Sequence, residues 1–309
     1  MAALSEAEAS APAGSDSAVR AIAGDGRILA LAARTTGLAE EARRRHGAWP
    51  TATAALGRAL TGAALLGMSL KEEGQSVTLR IFGNGPIGGL IAEARHGGLV
   101  RGYARNPAVH LPVRPDGKLD VGGAVGKKGV LHVTRDLGVQ QPYTGSYPLV
   151  SGEIGEDLTS YLGRAEQVPS LVSLGVLVGT DGAVRSSGGL IIQMLPGADD
   201  ADALRLEENV RRLGPVSRAV DQGAAPSDLI AAALSDMAPR ILSEEPLRFH
   251  CGCSRARVRD ALVSLGPGEL RAMIEEDGAA EAVCHFCGER YAFDRSDLTE
   301  MLDLAGGAR

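Results

Sequence analysis

The chain has 309 residues, of which 44% are hydrophobic and 23% are charged. These fractions are ordinary for a globular protein and exclude a chain that is disordered throughout. The 38 acidic residues outnumber the 32 basic ones, which gives a net charge of −6, and aromatic residues make up only 3%. Nucleic-acid binders normally present a basic face and stacking rings, so this composition disfavours nucleic acid as the partner.

Residues 1–18 open the chain with three acidic residues, no basic residue and no apolar run. A secretion signal needs a basic start and an apolar core, so we expect a disordered tail here and a cytoplasmic protein. The cysteines agree with this expectation, because all four lie between Cys251 and Cys287. Extracellular proteins spread their cysteines through the fold as staples, whereas clustered thiols indicate metal or redox chemistry in a reducing compartment.

Residues 19–197 are glycine-rich, with short apolar runs between turn signals. Strands are predicted at 75–83, 88–94, 99–106, 129–136, 171–178 and 188–196. Segment 51–70 has a single charge, but it is mostly Ala, Gly and Thr with helical spacing of its leucines, which predicts a close-packed helix and not a membrane span. A further helix is predicted at 154–164. Strands that come in runs with interspersed helices predict an α+β core domain.

Residues 198–249 are more charged, and their apolar residues recur with a helical period. A helix is predicted in DADALRLEENVRRL (200–213), ending at Gly214-Pro215, and another after Pro226 with Ser227 as its N-cap. The apolar side of the first helix is predicted to consist of Leu204, Leu206, Val210 and Leu213. We expect no strand in this segment and an apolar stripe too narrow for more than marginal stability. It is therefore predicted to be a metastable helical linker to a cysteine domain at 250–309.

Two patterns in the core domain resemble functional motifs. Residues 83–88 read GxGxxG after an apolar strand, but the next residues alternate like a hairpin and lack the helix and acidic residue of a dinucleotide site. Glu153, Glu156 and Asp157 could form an acid–base set, yet they lie near a predicted helix start without a neighbouring nucleophile, which favours capping and surface roles. The sequence contains neither GxSxG nor HExxH, so it gives no support for hydrolase chemistry.

The strongest functional signal is Cys251-Gly-Cys253, followed thirty residues later by Cys284-His-Phe-Cys287. Two closely spaced thiol pairs separated by a folded insert are typical of a tetrahedral zinc site with four cysteine ligands. The sequence therefore predicts one zinc ion held by Cys251, Cys253, Cys284 and Cys287.

The residues around the thiols support this prediction. Gly288 permits a tight turn in which backbone amides point at the sulfurs. His250 and His285 could replace a ligand, but four thiolates already complete the shell, so both are expected to be flanking side chains. Residues 291–293 alternate like a short strand. The insert is expected to build a small core from Val258, Leu262, Leu265, Leu270, Met273 and Ile274.

A domain of about sixty residues has only marginal stability unless a disulfide or a metal ion cross-links it. Zinc would supply about 10–16 kcal/mol of apparent folding free energy and would join the two ends of the insert. Oxidation of neighbouring thiols would instead give Cys251–Cys253 and Cys284–Cys287, each worth about 2 kcal/mol because its loop has three or four residues. Neither bridge joins the ends of the insert, so metal loss is expected to unfold the domain. The difference between one zinc cross-link and two short disulfides permits a redox switch. The alternative is a passive structural zinc in a protein that acts as an enzyme or a nucleic-acid adaptor.

The CxC and CxxC pairs of the C-terminal segment resemble those of the bacterial 33 kDa chaperonin family, the redox-regulated heat-shock holdases. The resemblance covers nearly the whole chain after residue 19. The segments that carry it are YTGSYPLVSGEIGEDLTSYL (143–162), EQVPS (166–170), GGLIIQMLPGA (188–198) and CGCSRARV (251–258).

The resemblance implies an ATP-independent holdase, not an enzyme, which is folded and inactive while its cysteines are reduced and hold zinc. It implies that peroxide or hypochlorite, under unfolding conditions, forms the disulfides Cys251–Cys253 and Cys284–Cys287 and releases the zinc. The cysteine domain then unfolds, the linker at 198–249 loses its packing, and apolar surface becomes available to unfolded client proteins. The resemblance also implies a homodimer in the active state. Neither the residues nor the resemblance indicates which side chains bind clients.

Overall fold

The computed structural model describes residues 15–139 and 141–306. The chain divides into two compact units, Met1–His250 and Cys251–Arg309. Of the predicted tail, residues 1–14 lie outside the described residues. Ser17 and Ala18 belong to the first strand, so the prediction of a disordered tail is wrong for these two residues.

The first unit is built from both strands and helices. The strands are β1 (Ser17–Ala23), β2 (Ile28–Arg34), β3 (Ser76–Gly83), β4 (Leu90–Arg95), β5 (Leu99–Ala104), β6 (Gly129–Asp136), β7 (Tyr143–Pro148), β8 (Ser170–Val178), β9 (Val184–Met194), β10 (Arg240–Pro246) and β11 (Arg248–Phe249). The helices are α1 (Thr36–His46), α2 (Pro50–Gly67), α3 (Val121–Val125), α4 (Gly155–Arg164), α5 (Asp200–Leu213), α6 (Val216–Asp221) and α7 (Pro226–Ala233), with a 3-10 turn at Gly24–Gly26.

The strands form two sheets. The first sheet has the order β10-β1-β2-β9-β8, and all its neighbours are antiparallel. The second sheet has the order β11-β5-β4-β3-β6-β7, antiparallel except where β11 runs parallel to β5. Antiparallel sheets with separate helices confirm the predicted α+β fold.

Helix α2 lies between the two sheets and contacts β3, β4 and β5 on one side and β2, β8 and β9 on the other. Close packing requires small residues: a Cβ at Gly62 would lie 2.7 Å from Cδ1 of Leu158. The single charge of the helix, on Arg58, is paired with Glu153. The helix predicted in segment 51–70 is thus confirmed as α2. No helix in the described part of the chain is both long and apolar enough to cross a membrane.

All six predicted strands are present, with ends within four residues of the prediction. Residues 83–88 join β3 to the antiparallel β4, as expected for a hairpin. Strands β1 and β2 were not predicted, because they are rich in alanine and buried on both faces, which removes the alternation that marks a strand. Their sequences are SAVRAIA and ILALAAR.

The prediction that 198–249 contains no strand is wrong. Strand β10 pairs with β1 at the edge of the first sheet, with Glu245 opposite Ala18. Five of its seven side chains are exposed, among them the apolar Ile241 and Leu242. Its strand structure therefore comes from backbone pairing with β1, and its sequence lacks the alternation of buried and exposed residues that predicts a strand.

The helices of the predicted linker cover one face of the first sheet: α7 packs on β1 and β2, and α6 packs on β8 and β9. Their buried apolar residues are Leu206, Val216, Val220, Leu229, Ile230, Ala233, Leu234 and Met237. The apolar surface they bury is therefore wider than the narrow stripe expected from the sequence.

Two details of the linker prediction are corrected. Leu204 is 67% exposed, because α5 turns the side that carries Leu206 towards the protein. The N-cap of α7 is Ala225 and not Ser227, with Pro226 in the first turn. The Asp228 carboxylate accepts a hydrogen bond from the Ala225 N–H at 2.9 Å.

The second unit contains α8 (Arg255–Val263), α9 (Pro267–Glu276), β12 (Ala279–Val283), β13 (Arg290–Asp294) and α10 (Arg295–Gly306), and β12 and β13 form an antiparallel hairpin. Within the described residues, its buried core consists of Leu270, Phe293, Leu298 and Met301. The expected core residues Val258, Leu262, Met273 and Ile274 pack against it partly buried. Leu265 is 51% exposed because it lies beyond the end of α8, so that part of the prediction is wrong.

Candidate metal centre

Two turns bring the four cysteines together. Cys251 and Cys253 precede α8, and Cys284 and Cys287 lie in the connection between β12 and β13. All four Sγ atoms lie within 4.8 Å of one another. The Sγ atoms of Cys251 and Cys284 are 3.7 Å apart, and those of Cys253 and Cys287 are 3.3 Å apart. The structure therefore gathers all four residues that the sequence predicts as ligands.

The hairpin fixes the C-terminal pair through its backbone. The N–H of Cys284 donates to the carbonyl of Glu289 at 2.9 Å, and the N–H of Gly288 donates to the carbonyl of Cys284 at 2.8 Å. Gly288 has φ +73°, a conformation that side chains disfavour. Backbone N–H groups of Phe286 and Cys287 hydrogen-bond the thiol of Cys284, and that of Glu289 hydrogen-bonds Cys287. This turn has the amide–sulfur contacts expected from the sequence.

The start of α8 fixes the N-terminal pair. Oγ of Ser254 caps the helix by accepting from the N–H of Arg257 at 3.2 Å, and the guanidinium of Arg257 donates to the carbonyl of Gly252 at 2.8 Å. Arg255 pairs with Asp297 of α10 at 2.7 Å and lies over the ring of Phe293 at 4.3 Å. These contacts tie the CxC segment to the rest of the second unit.

Burial and hydrogen bonding shape the thiol chemistry. Cys287 is only 5% exposed. Burial raises the pKa of the Cys284 and Cys287 thiols, and the backbone N–H groups oppose that shift. Metal ligands must be thiolates, so metal binding here displaces thiol protons.

The donor set fits a tetrahedral metal ion. Zn–S bonds of about 2.3 Å place the sulfurs of a tetrahedral site about 3.8 Å apart, and the separations of 3.3 and 3.7 Å lie near that value. They are well beyond the ~2.05 Å of a disulfide bond. The four sulfurs can therefore hold a soft or borderline metal ion such as zinc.

The two histidines considered as substitute ligands have different places. His250 belongs to the first unit, where its backbone N–H donates to the carbonyl of Val100 at 2.9 Å. His285 lies between the cysteines of the hairpin turn, but within the described residues the group of clustered ligand atoms consists of the four sulfurs.

The hydroxyl of Tyr291 donates a hydrogen bond to Sγ of Cys253 at 3.1 Å. This contact was not predicted from the sequence. The expected strand at 291–293 is present as part of β13, but the pairing that carries Tyr291 to the CxC segment arises only in three dimensions. A tyrosine four residues after the last cysteine is the one signal that could have drawn attention to it.

The acidic cluster of the first unit has structural roles. The Asp157 carboxylate accepts hydrogen bonds from the N–H groups of Val150, Ser151 and Ile154 at 2.7, 3.1 and 3.1 Å. Glu153 pairs with Arg58 and with Arg114 and accepts from a backbone N–H, while Glu156 is exposed. These contacts agree with the predicted capping and surface roles.

Three comparisons with known proteins each match most of the chain. The family model described as "Hsp33 protein" matches residues 16–294. The 33 kDa chaperonin of Symbiobacterium thermophilum is 51% identical over 286 residues, which cover 93% of this chain and 97% of the relative. The 33 kDa chaperonin of Geobacillus kaustophilus is 47% identical over 290 residues, which cover 94% and 98%.

A solved structure agrees with the fold. The crystal structure of the 33 kDa chaperonin of Thermotoga maritima, a heat shock protein 33 homologue, matches with a TM-score of 0.87 at 38% identity. The match covers 94% of this chain and 98% of that one. Near-complete coverage in both directions, by sequence and by structure, shows that the chain belongs to the Hsp33 family.

Proposed function

We propose that this chain is a redox-regulated, ATP-independent chaperone that holds unfolding proteins under oxidative stress. The observation that carries the proposal is the convergence of four Sγ atoms within 4.8 Å in a unit with a very small core. Membership of the Hsp33 family, whose relatives are named 33 kDa chaperonins, supports the chaperone role.

In the reduced state, Cys251, Cys253, Cys284 and Cys287 would hold one zinc ion. Bound there, zinc supplies a cross-link between the start of α8 and the hairpin turn, worth about 10–16 kcal/mol of apparent folding free energy. The four buried core residues of the described part cannot replace it in a unit of this size. The reduced resting state requires a reducing compartment, for which we propose the cytoplasm.

Oxidation removes this cross-link. For each pair, two zinc-bound thiolates lose two electrons to peroxide, which takes up two protons from solvent and is reduced to two water molecules, and a disulfide forms. We assign the bridges to Cys251–Cys253 and Cys284–Cys287, because each pair is adjacent in the chain. Each bridge withdraws two ligands from the site and closes only a short loop, so the second unit loses its tie and unfolds.

The linker carries the change to the first unit. Strand β11 ends at Phe249, and the second unit begins at Cys251, so the unfolded segment adjoins the last paired residues of the linker. The proposal requires the linker helices to be the least stable part of the first unit, so that they detach from the first sheet when the second unit unfolds.

Detachment uncovers an apolar surface on the first sheet. Beneath the linker helices lie Val19, Ala21, Ala23, Ile28, Ala30, Ala32, Leu190 and Ile192. We assign the binding of unfolded clients to this sheet face and to the apolar sides of the freed helices. The active form is a homodimer in this proposal, and its clients are recognised by apolar surface and not by charge, so nucleic acid and membrane are not partners.

Hydrogen exchange tests the coupling directly. In the zinc-loaded, reduced chain, residues 198–249 should be protected, and oxidation with peroxide at an unfolding temperature should remove that protection. Equal protection before and after oxidation contradicts the proposal. Zinc that stays bound in mild peroxide would point instead to a passive structural metal in an enzyme or nucleic-acid adaptor.

A further inference from the structure

We propose that Tyr291 is a positioning residue that restrains the reaction of Cys253 with oxidants, through the hydrogen bond from its hydroxyl to Sγ. This inference rests on the proposed function, in which the four thiolates hold zinc and are then oxidised. It makes Tyr291 a determinant of how strong an oxidative stress the switch requires.

The geometry supports a fixed donor. The Tyr291 oxygen lies 3.1 Å from Sγ of Cys253, and Tyr291 sits inside a hairpin that pairs it with Ala282 of β12. Two residues further along the same strand, Phe293 is buried in the core of the unit. The strand therefore holds the phenol in place without relying on the sulfur itself.

Two of the other thiols have backbone donors in addition to their contacts with neighbouring thiols. Cys284 accepts from the N–H groups of Phe286 and Cys287, and Cys287 accepts from that of Glu289. No side-chain substitution removes those donors. Cys253 differs, because its donor is a side chain that can vary between sequences and can be removed by deleting one oxygen atom.

The chemistry gives the direction of the effect. In the first step, the thiolate of Cys253 attacks one oxygen of a peroxide, the S–O bond forms, the O–O bond breaks, and hydroxide leaves. In the second, the thiolate of Cys251 attacks the sulfenic sulfur, the disulfide forms, and hydroxide leaves again. A hydrogen bond that shares the sulfur lone pair lowers its nucleophilicity in the first step. The same bond supports metal retention, as partners of metal ligands generally do.

The test compares Tyr291→Phe with wild type in the full, zinc-loaded chain. The control is Tyr143→Phe, which removes the same atom from a residue 62% exposed in the first unit. Zinc release at a fixed peroxide concentration is followed with a colorimetric chelator, and zinc affinity is measured by competition. We expect release about threefold faster, because the sulfur is a better nucleophile without the hydrogen bond, and affinity about tenfold lower. Release and affinity equal to those of wild type would overturn the inference.

Two further measurements separate an electronic role from mere packing of the ring. With cobalt(II) in place of zinc, the sulfur-to-metal charge-transfer band of Tyr291→Phe should move to lower energy, whereas loss of packing alone leaves it in place. Replacement of Tyr291 by 3-fluorotyrosine, a stronger donor of similar size, should slow release below that of wild type. An unmoved band or unslowed release counts against the role of the hydroxyl.

The wild-type measurement distinguishes the two levels of the proposal. If the wild-type chain binds no zinc, or keeps it in peroxide, the proposed function itself fails and the role of Tyr291 fails with it. If the wild-type chain releases zinc and Tyr291→Phe behaves like it, only the role of Tyr291 is contradicted.

Discussion

Asp157 shows how one buried carboxylate can organise a turn. It is 2% exposed and accepts three backbone hydrogen bonds, among them one from Ile154. Ile154 has φ +57°, a conformation that costs a β-branched residue free energy and persists only when its surroundings impose it. The carboxylate therefore holds the strained backbone at the start of α4.

Asp157→Asn tests this role. The amide keeps one oxygen but replaces the other with a donor, so at least one of the three N–H groups loses its acceptor. We expect the free energy of unfolding of the first unit to fall by about 2 kcal/mol in urea titration. Glu156→Gln, one residue earlier in the same helix and exposed, should stay within about 0.5 kcal/mol of wild type. Equal effects of the two substitutions would contradict the assignment.

The cluster of four cysteines could be predicted from the sequence, because a zinc site of this type would require its ligand type and spacing in the chain itself. The two cysteine pairs of this chain show that spacing directly. The hydrogen bond of Tyr291 could not be predicted. It depends on the hairpin register that places Tyr291 opposite Ala282 and on the path of the CxC segment, neither of which leaves a pattern in the sequence.

At the scale of elements, α7 bears most directly on the proposed redox switch. It packs on β1 and β2 of the first sheet, and its Leu229 and Ile230 are buried. Each buried leucine contributes transfer free energy and avoids a cavity. The linker therefore stays docked through specific packing, and its stability can be lowered without touching the thiols.

Leu229→Ala should lower the free energy of linker docking by about 3 kcal/mol. The undocked population then rises about a hundredfold, which should increase hydrogen exchange in 198–249 and give partial holdase activity under reducing conditions. Leu204→Ala is the matched control, since Leu204 is 67% exposed on α5. If Leu229→Ala raised exchange without any activity in the reduced state, linker release would not be the activating step.

Unlike α7, helix α8 is not held by buried side chains, since none of its described residues is buried. Arg255 holds its start through Asp297 and the ring of Phe293. An exposed ion pair and a cation–π contact each contribute modestly.

Arg255→Ala should therefore destabilise the zinc-loaded second unit by about 1 kcal/mol and lower its melting temperature. Arg259→Ala, which removes an exposed arginine of the same helix that pairs with its neighbour Asp260, should change little. Equal melting temperatures for both variants would show that Arg255 does not anchor the helix.

How well a strand can be predicted from the sequence depends on whether its two faces lie in different environments. Strand β6 was predicted with its observed ends, because GVLHVTRD alternates and is β-branched. Strands β1 and β10 were missed for opposite reasons: β1 is buried and rich in alanine, and β10 is a largely exposed edge strand. Only pairing along the first sheet gives either of them its structure.

At the scale of the whole molecule, the two units differ in what stabilises them. The first has an extensive core around α2, whereas the buried core of the second, within the described residues, is limited to Leu270, Phe293, Leu298 and Met301. A large core stabilises a domain unaided, and a small one needs a metal or disulfides.

Metal removal by a chelator under reducing conditions should therefore unfold the second unit and leave the sheets of the first unit folded. Hydrogen exchange should become fast in α8–α10 and stay slow in α2, and restored zinc should reverse the change. Protection of the second unit that survives complete metal removal would show that its core suffices without the metal.

Aggregation of a heat-unfolded test protein, followed by light scattering, tests the central claim most directly. The chain is added after incubation either in reductant with zinc or in peroxide at an unfolding temperature, and no ATP is present. If the chain is a redox-regulated holdase, only the oxidised chain suppresses scattering, and reductant abolishes the effect. Suppression by both forms would contradict redox control, and suppression by neither would contradict the holdase function itself.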